Sequence, residues 1–125
     1  MILMDISDIF IGTDIVDVSR VKLSLEKQGK RFRDRIFSNA EQNYCDEKPL
    51  PEIHFSGKFA AKESIIKAIK SSGYKKVIPF NKIEIINSEF GAPNVLLDID
   101  LLGDCKVSIS HTNTHAIAMA IFISA

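Results

Sequence analysis

Apolar residues recur along this chain with two different periods, and the change of period divides it. Asp8 to Val16 (Asp-Ile-Phe-Ile-Gly-Thr-Asp-Ile-Val) is rich in Ile and Val and predicts a strand. With alternate residues on opposite sides, Phe10, Gly12, Asp14 and Val16 share one face, and Ile9, Ile11, Thr13 and Ile15 the other. Both faces are mostly apolar, which predicts burial on both. From Asp17 to Lys27 the spacing becomes helical, with Val18, Val21 and Leu25 inward and Gly29 as the stop. Lys30 to Phe37 interleaves basic residues with Phe32, Ile36 and Phe37 and reads as a short anchored connection. Ser38-Asn39-Ala40-Glu41 matches a capping box and opens a helix to about Glu47, which Pro49 and Pro51 stop.

The longest periodic stretch runs from Glu52 to Ser71 and predicts a central helix. Phe55, Phe59, Ile66 and Ile69 gather into a core-facing stripe. Glu63, Lys67 and Lys70 form a second stripe beside it, and Lys62 falls among the apolar residues themselves. After Ser72-Gly73 the period returns to two. Lys82–Ile86 and Val95–Leu97 flank a turn holding Gly91 and Pro93, and Asp98 to Asp104 connects onward. Lys106–His111 and His115–Ile123 follow, joined by Thr112-Asn113-Thr114. In the last strand Ala116, Ala118 and Ala120 share one face, which permits close approach of the central helix or another layer. Ile117, Met119, Ile121 and Ile123 share the other, which covers a core or a subunit contact. The sum is an α+β domain over residues 1–125: a strand, helices, then an antiparallel meander.

Composition narrows the class. A chain of 125 residues with 46% hydrophobic and 26% charged content describes one soluble globular domain, small enough to gain from oligomerisation. Cys45 and Cys105 lie far apart without metal-ligand spacing, which argues against structural zinc and a disulfide framework and suits a reducing cytoplasm. Met1-Ile2-Leu3-Met4 is apolar, but Asp5 and Asp8 interrupt it, so no signal peptide is expected and no later run could span a membrane. The formal net charge of zero hides an asymmetry. Seven basic residues stand between Arg20 and Arg35 against Glu26 and Asp34, leaving that segment at +5. An anionic partner follows: nucleic acid, an acidic protein or a phosphorylated ligand.

Asp14 in an apolar strand is costly unless it is capped, paired or bound to a metal. Gly12 beside it leaves room for close approach to the backbone. Glu63 and Lys67, four residues apart, form at the least an ordinary helical ion pair. Two carboxylates from separate elements, Asp14 and Glu63, also suit Mg²⁺, which takes one or two protein carboxylates and fills its other positions with water and phosphate. Lys62 and Lys67 flank this patch and would offset charge on phosphoryl oxygens. His111 ends a strand at the mouth of a turn, a place for a structural or a functional histidine. There is no P-loop, no GxGxxG and no GxSxG elbow. The residues by themselves lead to a phosphate-binding or phosphoryl-transfer site and no further.

Three segments carry a resemblance. Gly12-Thr13-Asp14-Ile15-Val16-Asp17-Val18-Ser19-Arg20, Phe59-Ala60-Ala61-Lys62-Glu63-Ser64-Ile65-Ile66-Lys67-Ala68 and Val107-Ser108-Ile109-Ser110-His111 resemble, in order and spacing, the signatures of the holo-acyl-carrier-protein synthases. These are the short, bacterial-type 4′-phosphopantetheinyl transferases. Arg35 to Glu41 and Gly91-Ala92-Pro93 resemble weaker family segments between them. The resemblance implies the family's fold, a long central helix packed on an antiparallel sheet. It also implies transfer of the phosphopantetheine arm of coenzyme A to a serine of apo acyl carrier protein, with release of adenosine 3′,5′-bisphosphate.

On this resemblance Asp14 and Glu63 bind Mg²⁺, and Lys67 lies beside the diphosphate and the attacking hydroxyl. The catalytic set is then Asp14, Glu63 and Lys67. Lys58, Lys62, Lys67, Gly91, Pro93 and His111 face coenzyme A, and Arg20, Lys27 and Arg31 receive the acidic carrier protein. The general base is left between a metal-held water and Glu63. A homotrimer with sites between subunits is implied, in the cytoplasm, with no nucleic acid or membrane as partner. Two departures stand out: Lys58 occupies a position where the family usually has Arg, and Lys70-Ser71-Ser72-Gly73 replaces a Gly-rich helix end. The competing readings are a nucleic-acid-binding module gripping through Arg20–Arg35 and a catalytically inactive scaffold subunit.

Overall fold

The computed structural model describes residues 8–125; Met1 to Met4, read above as no signal peptide, lie outside them. The elements run β1 (Ile9–Asp17), α1 (Val18–Gln28), α2 (Lys30–Ile36), α3 (Asn39–Asp46), α4 (Pro51–Ser71), a 3₁₀ turn (Phe80–Lys82), β2 (Ile83–Asn87), β3 (Pro93–Leu97), β4 (Gly103–His111) and β5 (His115–Ser124). The architecture is α+β, as the periodicities imply. Among the described residues no helix is long and apolar enough to cross a membrane.

Two features depart from the sequence expectation. Lys30–Ile36 is a helix rather than an irregular connection. Gly29 takes a positive φ of 54°, closes α1 by donating its N–H to Leu25 O and lets the chain re-enter a helix at once. Phe32 and Ile36, four residues apart, are then buried together. The strands also form two sheets rather than one meander. β1, β5 and β4 pair antiparallel in that order, and β2–β3 is a separate hairpin. The capping box at the start of α3 forms as expected, Ser38 Oγ accepting from Glu41 N while Glu41 accepts from Ser38 N.

β5 is central in its sheet, and its small face lets α4 lie close. Ala116, Ala118 and Ala120 are buried beneath that helix, while Ile117 and Met119 on the other face are 49% and 46% exposed. β1 follows the same division, correcting the expectation of burial on both sides. Gly12 is buried and Asp14 partly so, whereas Ile11 and Ile15 are 60% and 66% exposed in the isolated chain. The register pairs Ile11 with Ile121, Thr13 with Met119 and Ile15 with Ile117, so these side chains form one apolar sheet surface.

α4 is buried nearly all round, with a core on each side. Ile65 and Ile69 pack with Ile83, Ile85, Ala118, Ala120 and Phe122. Phe55 packs with Val21, Phe32, Ile36 and Phe37. Gly12 fixes how near α4 comes to β1. A Cβ there would stand 2.0 Å from Ser64 O and 2.6 Å from Ala68 N. Both are helix backbone atoms, so no rotamer change relieves the overlap. Gly12→Ala is expected to destabilise the chain by about 3 kcal/mol. An unchanged denaturant midpoint in that variant contradicts this packing.

Candidate active site

The close approach at Gly12 determines what its neighbour meets. Asp14 lies two residues further along the same face of β1, and Glu63 and Lys67 project from adjacent turns of α4 toward it. Lys67 Nζ donates to Asp14 Oδ1 at 3.0 Å and to Thr13 O at 3.0 Å. Asp14, Glu63 and Lys67 line one cavity of about 430 Å³ with Asp17, Arg20, Phe32 and Phe59. Two members of the second stripe of α4, Glu63 and Lys67, therefore face a site, whereas Lys70 turns aside to donate to Lys76 O; Lys67 pairs across to Asp14 as well as lying one turn from Glu63.

Glu63 is half-buried, and its carboxyl is held above the ordinary carboxylate range, first by burial and then by the negative charge of Asp14, with Lys67 opposing. A carboxyl raised by a neighbouring carboxylate fits a cation between the two, and oxygen donors suit a hard one. Among the described residues no group of three or more His, Cys, Asp or Glu is gathered for an ion. A cation here would thus rest on this pair and on oxygens that are not the protein's carboxylates.

Sequence reasoning passed over Asp17. Its carboxylate lines the same cavity and lies 3.4 Å from His115 Nε2, opposite it in the β1–β5 register. No local motif marks it, because β5 meets β1 only through a pairing distant in the sequence.

Lys62 is a correction. It is wholly buried and turns away from the cavity, with Nζ 2.8 Å from Glu41 Oε1. It also donates to Ile36 O at 2.6 Å and Phe80 O at 3.3 Å. Glu41, equally buried, accepts from Ser38 N and Ile85 N. Lys62 is one residue from Glu63, so the helix turns it about 100° aside. A ligand in the cavity does not meet its ammonium.

The other residues expected at coenzyme A form a second cavity, of about 190 Å³, between α3, α4, β4 and the β2–β3 turn. Lys58, Gly91, Pro93 and His111 line it, joined by Tyr44, His54 and Asn87, which the sequence reading did not single out. Lys58 donates to Ile85 O at 2.9 Å and Asn87 Oδ1 at 2.6 Å and lies 4.6 Å from the centre of the Tyr44 ring. Burial is the main cause holding its ammonium below the ordinary lysine range. His54 lies one helical turn before Lys58, spacing that could have revealed it.

Of the basic segment, Arg20 lines the first cavity, and Lys27 and Arg31 are exposed on α1 and α2. Lys30 pairs with Asp34 and Arg33 with Asp46, so part of the apparent excess charge is compensated locally. Arg20, Lys27 and Arg31 form no ion pair among the described residues.

Comparison with known proteins identifies the family and the fold. Residues 10–120 match the family model of the 4′-phosphopantetheinyl transferase superfamily. The holo-[acyl-carrier-protein] synthase of Protochlamydia amoebophila is 36% identical over 119 residues, covering 91% of this chain and 97% of that protein. That of Chlamydia pneumoniae is 40% identical, covering 93% and 98%. The Helicobacter pylori holo-[acyl-carrier-protein] synthase, solved in complex with coenzyme A, superposes with a TM-score of 0.77 at 30% identity, covering 90% of this chain and 98% of that one. The Chronobacterium ammoniagenes ACPS–CoA complex shares the fold at a TM-score of 0.82 and 23% identity, covering 94% and 98%. The family model spans the strand that carries Asp14, the helix that carries Glu63 and Lys67, and the strand ending at His111, and this chain belongs to the 4′-phosphopantetheinyl transferase superfamily as a member of its holo-[acyl-carrier-protein] synthase family.

Proposed function

We propose that this chain transfers the 4′-phosphopantetheine arm of coenzyme A to a serine of apo acyl carrier protein and releases adenosine 3′,5′-bisphosphate. The observation that carries the reading is the convergence of Asp14, Glu63 and Lys67 on one cavity with Arg20 in its wall. In the reaction the serine oxygen bonds to the phosphorus that carries the pantetheine arm. The bond from that phosphorus to the bridging oxygen breaks, the bisphosphate keeps the electron pair, and the hydroxyl proton leaves.

Asp14 and Glu63 are the residues suited to hold Mg²⁺, and the ion when bound supplies positive charge to the diphosphate oxygens. The remaining roles belong to the chain. Lys67 presents its ammonium where negative charge builds up on the phosphoryl oxygens. Phe32 and Phe59 give the cavity apolar walls, which strengthen those charge interactions. Lys58 and His111, in the second cavity, supply positive and hydrogen-bonding groups for the phosphates at the far end of coenzyme A.

Arg20, Lys27 and Arg31 give an acidic carrier protein a positive face next to the first cavity, which favours a fast, salt-sensitive encounter. The exposed apolar surface of Ile11, Ile15, Ile117 and Met119 is suited to a subunit contact, and the proposal includes a homotrimer. The free, buried Cys45 and Cys105 suit a cytoplasmic setting.

The test is incubation of the chain with coenzyme A, Mg²⁺ and an apo acyl carrier protein. Mass spectrometry should show the carrier protein gaining one phosphopantetheine arm only when all components are present, and the enzyme should sediment as three chains. An unmodified carrier protein after prolonged incubation overturns the transferase reading, and a monomeric enzyme overturns the trimer.

A further inference from the structure

The second cavity contains more positive charge than its hydrogen bonds account for. Lys58 is 3% exposed, yet both its hydrogen-bond acceptors are neutral oxygens and the ring beneath it is neutral. The carboxylates that attract it, Glu41 and Glu84, make no hydrogen bond to it, so its burial stays costly, and an anion entering the cavity would lower that cost. No Asp or Glu is among the lining residues. Two histidines are. The rings of His54 and His111 lie 5.7 Å apart, edge to face, and His54 is also edge-on to Tyr44 at 6.2 Å. Lys48, in the turn after α3, lies 4.5 Å over the Tyr44 ring.

The groups facing His54 are thus Lys58 from its own helix, Tyr44 and Lys48 from α3 and its following turn, and His111 from β4. None of them is a carboxylate. Burial, followed by the charges of His111, Lys48 and Lys58, holds His54 below the ordinary histidine range. The cavity therefore sets the Lys58 ammonium beside two imidazoles, with burial opposing a charge on His54.

We propose that this cavity is a proton-coupled phosphate site, in which His54 takes up a proton together with a phosphate ester that binds between Lys58 and His111. The inference rests on the transferase reading for the identity of the ester, a phosphate of coenzyme A or of the released bisphosphate. It adds His54 as a binding residue and makes affinity pH-dependent: a bound dianion stabilises the imidazolium that the empty cavity disfavours. Affinity should then fall as pH rises through the histidine range, by up to about tenfold per unit.

The experiment is calorimetric titration of adenosine 3′,5′-bisphosphate into the full chain at about pH 7.5, in buffers of different ionisation enthalpy, which counts the protons taken up. The wild type should take up a measurable fraction of a proton. His54→Phe and His54→Gln should each remove at least half of it and flatten the dependence of affinity on pH. The glutamine variant keeps the experiment decisive if the phenylalanine variant does not fold. Adenosine 5′-monophosphate, titrated in parallel, locates the phosphate: uptake confined to the bisphosphate puts the 3′-phosphate here, and uptake with both puts the 5′-phosphate here. Tight binding without proton uptake, or uptake unchanged in both variants, overturns the role of His54 and leaves the transferase reading standing. No binding of the bisphosphate, together with no arm transferred in the mass assay, overturns both.

Discussion

Asp14→Asn and Glu63→Gln are each expected to lower phosphopantetheine transfer by about a thousandfold or more while the chain keeps its secondary structure and cooperative unfolding. Each substitution preserves shape and removes one negative charge from a cavity whose proposed ion has only those two carboxylates. The loss should fall mainly on kcat, because the charge they organise is needed most as the phosphoryl group transfers. Titrating Mg²⁺ should not restore either variant to the wild-type rate. Near-normal turnover in one of them removes that residue from the metal pair.

The Glu63 variant gives a stability signature of opposite sign. Glu63 in the folded, metal-free chain is held above the ordinary carboxylate range by burial and by Asp14. The folded state therefore binds that proton more tightly than the unfolded state. The stabilising contribution is complete at low pH, below the unfolded value, and is lost as pH rises through the folded value. Glu63→Gln has no charge to develop. In metal-free buffer at neutral pH it should melt at a higher temperature than the wild type, with the difference shrinking on acidification. A site that costs stability and is needed for activity is the usual trade at a functional centre.

This pairing of cost and use explains what was legible in the sequence. Gly12, Asp14, Glu63 and Lys67 could be read because each breaks a local rule: a glycine and a carboxylate in an apolar strand, and charges at the edge of a core-facing helix. The backbone crossing at Gly12 then supplies the contact that the separate patterns implied. His54 and Asp17 were overlooked because neither breaks a rule where it stands. Asp17 meets His115 of β5, a distant pairing that no window of sequence contains, and the one-turn spacing of His54 from Lys58 acquires meaning only with His111 of β4 beside it. The division of the strands into two sheets was hidden for the same reason. α2 was hidden by its length, since seven residues of basic and aromatic character carry too few turns for a clear period.

Lys62 shows where a correct observation led to a wrong placement. Its position among apolar residues was plain, and a lysine there must either reach a ligand or find a buried partner. Spacing alone does not choose between these, because Glu41 lies twenty-one residues away in sequence and already serves a recognisable capping box. In the structure this pair joins the end of α2 through Ile36 O, the start of α3 through Ser38 N, β2 through Ile85 N and the 3₁₀ turn through Phe80 O. Removing one member leaves the other charged and buried. Lys62→Met should therefore destabilise the chain by about 3–5 kcal/mol, a large share of the ~5–15 kcal/mol that holds a domain of this size. Glu41→Gln should cost a similar amount, while the double variant should fall well short of the sum, with a coupling of about 2 kcal/mol in a denaturation cycle. Because Lys62 Nζ turns away from the cavity, the folded fraction of Lys62→Met should turn over within about threefold of wild type, whereas Lys67→Met should not. A Lys62 variant of wild-type stability with collapsed turnover would instead return this lysine to the phosphate.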